Sequence, residues 1–245
     1  MQKLKQSSSL KKIFADYRAN RFSDEILSDW GSALIYRPIG LTLAWLLVPS
    51  RISPTAVTGI GVMLLPIMII AAAFCQPATA LAIVLVLAVI YQTLDCTDGP
   101  LARATGQVSV SGHYWDLVAD LAYRGSVYAT VGYLADQIHP WSLPVNHMSC
   151  LTIAAWAALL ARLARKNLAR LAPQRSGESA DPKRAATFTA YSFLSGTDTL
   201  FPLLVALTSG FGVLSIYIGW IVFYSFADVV IALFEAHRQL KIFQN

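Results

Sequence analysis

The chain has 245 residues, 56% of them hydrophobic and only 13% charged, with a net charge of +5 and a mean hydropathy of +0.53. Soluble domains carry about 25% charged residues. This much apolar surface cannot be hidden in one soluble core of this size, so the chain reads as an integral membrane protein. Three cysteines, Cys75, Cys96 and Cys150, lack metal spacing and exclude a zinc ribbon or a disulfide framework.

The first thirty residues are polar and basic, which predicts no cleaved signal peptide. Residues 9–29 read as a basic amphipathic lead-in to an interfacial helix over 31–49. That stretch carries Arg37-Pro38, and the apolar run after it, Ile39 to Val48, is only about ten residues, too short to span. A basic segment leading into an interfacial helix reads as an anchor to anionic membrane lipids, not as a nucleic-acid patch. Ser53-Pro54 marks a helix start, with Ser as N-cap and Pro in the first turn.

Six long apolar stretches follow, at 55–75, 78–98, 110–136, 147–171, 186–208 and 211–236. Each reaches the ~20 residues needed to cross the hydrocarbon. Backbone groups in lipid must bond within their own segment, so these are helices. The expected fold is an all-α integral membrane protein of six transmembrane helices preceded by an N-terminal amphipathic, interfacial helix. Residues 1–52 form the cytoplasmic basic segment and interfacial helix, 53–238 the six-helix domain and 239–245 a cytoplasmic tail. Six crossings put eighteen of the nineteen Lys and Arg on one side, and a seventh over 31–49 would put the basic N-terminus on the other. The positive-inside rule then predicts both termini in the cytoplasm. Residues 172–184 read as a flexible cytoplasmic loop without a motif. Cys75 and Cys150 both fall near the outer ends of their spans, which leaves a disulfide between them as an open alternative.

The chemistry concentrates between the second and third spans. Asp95 and Asp98 are spaced i,i+3, and Asp116 and Asp120 i,i+4, so each pair shares one helix face. An acid at a helix centre costs about 2.5–3.5 kcal/mol on insertion scales, so four of them call for compensating charge. A divalent metal supplies it: Mg²⁺ or Mn²⁺ takes carboxylate oxygens and completes its shell with phosphate or water. Gly99 and Ala102 have minimal side chains that let a nucleotide approach the backbone, and Gly112 does the same on the facing helix. Arg103 offers a forked guanidinium for a phosphate.

The pattern Asp-x2-Asp-Gly-x2-Ala-Arg-x8-Gly-x3-Asp-x3-Asp, running from Asp95 to Asp120, resembles the signature of the CDP-alcohol phosphotransferase family of membrane enzymes. Chance agreement at its eight fixed positions is on the order of 10⁻¹⁰. Pro54-Thr55-Ala56-Val57-Thr58 is similar to the family's Pro-Asn-x-x-Thr, with Thr55 where Asn is usual. The resemblance implies metal-dependent transfer of a phosphatidyl-type group from a CDP-linked lipid, with CDP-diacylglycerol as donor, to an alcohol acceptor in phospholipid biosynthesis, releasing CMP. It implies that Asp95, Asp98 and Asp116 bind metal, that Asp120 is the general base with a share in a second metal, and that Thr58, Gly99, Ala102, Arg103 and Gly112 line the CDP pocket. It also implies a homodimer. Two alternatives stay open: a CDP-choline or CDP-ethanolamine type of enzyme, in which the head group carries the CDP to diacylglycerol, and a cation transporter using the same acids, which predicts ion flux and no CMP.

Outside the motif, Arg124 lies ~21 Å into the third span and Asp198 ~18 Å into the fifth. Matched depth predicts an interhelical Arg124–Asp198 pair; the alternative has Arg124 holding an anionic acceptor. Arg162 and Arg165, at the cytoplasmic end of the fourth span, are candidate acceptor-binding residues or ordinary orienting charges. Asp228, in the last span, is an unassigned acid, and His113 and Cys96 are expected to play no part as ligands.

Overall fold

Apolar runs punctuated by Ser, Pro and Gly fold as helices, and no strand occurs among the described residues. The structure is a computed structural model and describes residues 10–139, 146–171 and 196–244. The loop expected at 172–184 and the first part of the 186–208 stretch lie outside the described residues.

The basic lead-in forms two short helices, α1 (Leu10–Asn20) and α2 (Phe22–Ser28). Ile13 and Tyr17, one turn apart on α1, are buried against Leu41, while Lys11, Lys12 and Arg18 are exposed. Asp29 then accepts from the Ser32 N–H at 3.0 Å and from the Thr199 hydroxyl at 2.6 Å. Burial holds its carboxyl above the usual carboxylate range, against the pull of those two bonds.

The next helix, α3, runs unbroken from Ser32 to Ser50 as a π turn (Ser32–Tyr36), an α segment (Arg37–Leu47) and a 3-10 turn (Val48–Ser50). Pro38 does not interrupt it, in keeping with the helix expected over 31–49. The π turn closes with the Arg37 N–H on the Ser32 carbonyl, which leaves Pro38 at the start of the α segment, where a missing donor costs least. The estimate that this stretch is too short to span is therefore corrected: α3 has 19 residues and is one of four helices long and apolar enough, by length and composition, to cross a membrane.

The other three are α4 (Pro54–Phe74), α5 (Pro77–Thr105) and the Leu214–Phe234 part of the last helix. They contain most of the stretches expected at 55–75, 78–98 and 211–236. α6 (Val110–Ile138) has the length, 29 residues, but interrupts its apolar surface with Asp116, Asp120, Arg124 and Asp136. α7 (His147–Leu171) is apolar only over His147–Ala161, and α8 (Phe201–Gly210) is a short apolar helix led by a helical turn over 196–199. The last helix is α9 (Leu214–Gln244).

Local chemistry sets the ends that matter. Ser53 caps α4 by accepting from the Ala56 N–H at 3.1 Å, with Pro54 in the first turn, as the sequence indicates. α5 stops in a Schellman arrangement: Gly106 sits at φ +71°, its N–H bonds the Arg103 carbonyl at 3.3 Å, and the Gln107 N–H bonds Ala102 at 2.8 Å. Ser109 then caps α6, accepting from the Gly112 N–H at 2.9 Å.

α5 packs against α3, α4, α6 and α8, while α7 joins α6 to α9. Gly40 allows α3 and α5 to touch, because a Cβ there would stand 2.6 Å from the Cys96 carbonyl oxygen. At the far end of α6, the fully buried His147 bonds Asp136 at 2.8 Å and Ser215 at 2.9 Å, tying α6, α7 and α9 together. Cys75, Cys96 and Cys150 are free thiols, so the alternative of a Cys75–Cys150 disulfide is not realised.

Candidate active site

The eight-residue gap in the motif is the reversal between two helices. With α5 ending at Thr105 and α6 beginning at Val110, four residues return the chain, and the two helices pack side by side. Asp98 lies seven residues before the end of α5 and Asp116 six after the start of α6; Asp95 and Asp120 each lie ten from the same ends. At 1.5 Å per residue those distances are about 10 Å and about 15 Å. Asp98 is thus level with Asp116, and Asp95 with Asp120.

α4 closes the third side. A cleft is lined by Val57, Thr58 and Gly61 from α4 and by Tyr91, Leu94, Asp95 and Asp98 from α5. The Thr58 hydroxyl donates to Asp98 Oδ2 at 2.5 Å, and the Asp98 side chain is buried. Asp116 lies within electrostatic reach of Asp98, and the Tyr91 hydroxyl within reach of Asp95, Asp116 and Asp120.

Below the acids, Tyr91 and Tyr123 stack face to face, with ring centroids 4.0 Å apart and planes 1° from parallel. Tyr91 is one turn before Asp95 and Tyr123 one turn after Asp120, so the stack holds α5 and α6 together at the floor of the acid group. Both phenol oxygens are buried with no hydrogen-bond partner among the described residues. Carboxylate oxygens are hard donors of the kind Mg²⁺ and Mn²⁺ take. The donor set fits such a cation by oxygen type and by shared level. No three His, Cys, Asp or Glu side chains among the described residues stand close enough to make a ready-formed ligand group.

Gly99 leaves space beside the acids, since a Cβ there would meet nothing within 4 Å except the Arg103 guanidinium at 3.5 Å. At Gly112 a Cβ would press on the capping Ser109 hydroxyl at 3.1 Å, so the missing side chain there makes room for the cap. Ala102 lies on α5 one turn beyond Asp98. Arg103 is half-buried and feels the charges of Asp16, Arg21, Glu25 and Arg37, so it faces the N-terminal segment.

Arg124 and Asp198 meet as their depths predict: Arg124 Nη1 donates to one carboxylate oxygen and the Tyr128 hydroxyl to the other. Arg162 and Arg165 fall on α7, with side chains outside the described residues. Asp228 is buried on α9, and His113 is exposed.

Four residues of the site's surroundings were not foreseen from sequence. Tyr91 and Tyr123 carried a signal in their one-turn spacing from Asp95 and Asp120. Arg37 and Glu25 carried none that was local: Arg37 Nε and Nη2 donate to Glu25 Oε1 at 2.7 and 2.5 Å, and Nη1 donates to the Cys96 carbonyl at 3.1 Å.

Among known families, residues 51–227 match the family model described as CDP-alcohol phosphatidyltransferase, a stretch that runs from just before α4 into α9 and holds all four aspartates. No curated protein matches the chain.

Proposed function

The chain belongs to the CDP-alcohol phosphatidyltransferase family, and from that premise we propose how this phosphotransferase works. The family reaction moves a phosphatidyl group from a CDP-alcohol to an acceptor. The donor is CDP-diacylglycerol and the acceptor a small alcohol. The acceptor oxygen attacks the phosphorus bearing the diacylglycerol, the bond from that phosphorus to the CMP oxygen breaks, and the hydroxyl proton passes to an Asp120 oxygen. Asp95, Asp98 and Asp116 would hold a divalent ion, Mg²⁺ or Mn²⁺, and Asp120 would share a second. When bound, such an ion neutralises the charge that builds on the diphosphate and on the departing CMP.

The protein's own groups do the rest. Thr58 orients Asp98 through its hydroxyl. Gly99 and Ala102 leave room for the nucleotide, and the Arg103 fork takes a phosphate oxygen. Arg162 and Arg165 are candidates for an anionic group on the acceptor, whereas Arg124 is engaged by Asp198. The observation that carries the reading is the level pairing of Asp95 with Asp120 and of Asp98 with Asp116 across two helices reversed by four residues.

The acids open toward the cytoplasm, where both termini also lie, with six crossings; α3, although long enough to span, lies along the interface because a seventh crossing would carry the basic N-terminus to the other side. The gathering of eighteen of nineteen Lys and Arg on one side supports this orientation.

CMP release by the purified protein in nanodiscs tests the reading. CDP-diacylglycerol is offered with a panel of alcohols, and CDP-choline or CDP-ethanolamine with diacylglycerol, each with Mg²⁺ or Mn²⁺. Release from CDP-diacylglycerol that depends on one alcohol is the expected result. Release only from the head-group donors reassigns the CDP to the other substrate. Ion flux in liposomes, with no CMP from any pairing, would overturn the transfer reading in favour of a transporter.

A further inference from the structure

We infer that Arg37 is a positioning residue that replaces a backbone hydrogen bond deleted from α5 by Pro100, and so holds the turn that sets Asp95 against Asp98. The inference takes its functional consequence from the transfer reading above.

Pro100 lies inside α5, four residues after Cys96. A proline has no N–H, and its ring presses on the carbonyl four residues back. The Cys96 carbonyl, between the two acids, therefore loses its helical donor, and Cys96 is only 3% exposed. A buried carbonyl without a donor is costly, so a partner has to come from elsewhere. Arg37 supplies it: Nη1 donates to Cys96 O at 3.1 Å.

The rest of the guanidinium is fixed. Nε and Nη2 both donate to Glu25 Oε1, at 2.7 and 2.5 Å, and the Ser32 hydroxyl donates to the same oxygen at 3.2 Å. Ser32 Oγ also touches Cys96 Sγ at 3.4 Å. Gly40 brings the α3 backbone onto the same turn, where a Cβ would come within 2.6 Å of Cys96 O. The π turn makes this face: its wider winding brings Ser32 and Arg37, five residues apart, to one side of α3, and Gly40 follows one α turn later. Three residues of one helix face thus converge on one residue of another, Cys96, at the point where that helix lacks its own bond.

Arg37 also lies within electrostatic reach of Asp95 and Asp98, so a role through charge alone has to be separated from the role through the hydrogen bond. Pro100 makes the separation. Pro100→Ala restores an N–H at position 100 that can bond Cys96 O, and it adds no charge.

The experiment compares wild type, Arg37→Ala, Arg37→Lys, Pro100→Ala and Arg37→Ala/Pro100→Ala in nanodiscs. Hydrogen exchange of a peptide covering residues 92–104 is measured without substrate, and kcat and KM for CMP release with it. Arg37→Ala is expected to speed exchange in that peptide by about tenfold, the loss of one hydrogen bond, and to lower kcat by a similar factor with KM within about twofold. Arg37→Lys keeps the charge but lacks the fork that reaches Glu25 and Cys96 O together, so it shows the same deficit. The double variant recovers slow exchange and most of kcat.

A double variant no better than Arg37→Ala, or an Arg37→Lys equal to wild type in both measurements, overturns the inference. If Arg37→Ala does not fold, Arg37→Lys and Arg37→Lys/Pro100→Ala carry the same comparison. The exchange measurement needs no substrate, so rescue by Pro100→Ala is read even if the proposed donor is wrong. Failure of rescue in an enzyme that still releases CMP sinks this inference alone.

Discussion

Asp120 stands ten residues into α6, level with Asp95, and within electrostatic reach of the buried Tyr91 hydroxyl. Asp120→Asn keeps its size and removes the proton acceptor, so CMP release should fall by about 10²–10⁴-fold with the melting temperature unchanged. A loss of less than tenfold would assign the proton elsewhere. Asp29 gives a prediction of the opposite kind, in stability and not in rate. Burial raises its carboxyl in the folded protein, so the folded state binds the proton more readily than the unfolded one. Stability should then fall as pH rises from the unfolded value of about 3.9 up through the raised folded value, and level off above it. Asp29→Asn, which can still accept from Thr199 and Ser32, should flatten that slope in denaturation curves taken upward from about pH 4. An unchanged slope would mean another group titrates.

The pairing of Arg124 on α6 with Asp198, just before α8, ties two elements through charges that neither helix satisfies alone. Asp198→Ala leaves a buried guanidinium without its carboxylate and should cost about 3–5 kcal/mol in reversible unfolding, while Arg124→Leu/Asp198→Leu recovers most of it. If the double variant is no more stable than Asp198→Ala, the pair acts through something other than mutual neutralisation. This contact was legible in the sequence although 74 residues separate its partners, because in a membrane the depth of a residue along its helix limits what it can meet. The cap at Ser53 was legible for a simpler reason, since it acts on the residues just after it. α3 was legible as a helix over 31–49 but not in its reach: counting only the apolar run after Arg37-Pro38 left out the turn before it, and nothing local in Ser32–Tyr36 announces the π turn that joins the two. The acid pairs were legible as faces of two helices, but their level pairing follows from where α5 stops and α6 starts. Arg37 was hidden because its partner is a backbone carbonyl 59 residues away, exposed as an acceptor only by the proline that follows it.

At the scale of the whole molecule, four helices have the length and apolarity to cross a membrane, and the proposed six crossings would gather the basic residues on one side. Single cysteines at Val108, in the α5–α6 link, and at Gln76, between α4 and α5, should label with an impermeant maleimide on opposite faces of oriented vesicles, in a background lacking the native cysteines. Lys11→Cys should label on the Val108 face. Labelling on the Gln76 face would make α3 a crossing helix and move the N-terminus outside. The central claim is narrower than topology: that acids from α5 and α6 hold one divalent ion between them. The measurement that tests it most directly is a Mn²⁺ titration of the protein in nanodiscs, followed by electron paramagnetic resonance, for wild type, Asp98→Asn and Asp116→Asn. Saturable binding in wild type, weakened at least tenfold by either substitution, is the predicted result. Equal binding in all three proteins would contradict it.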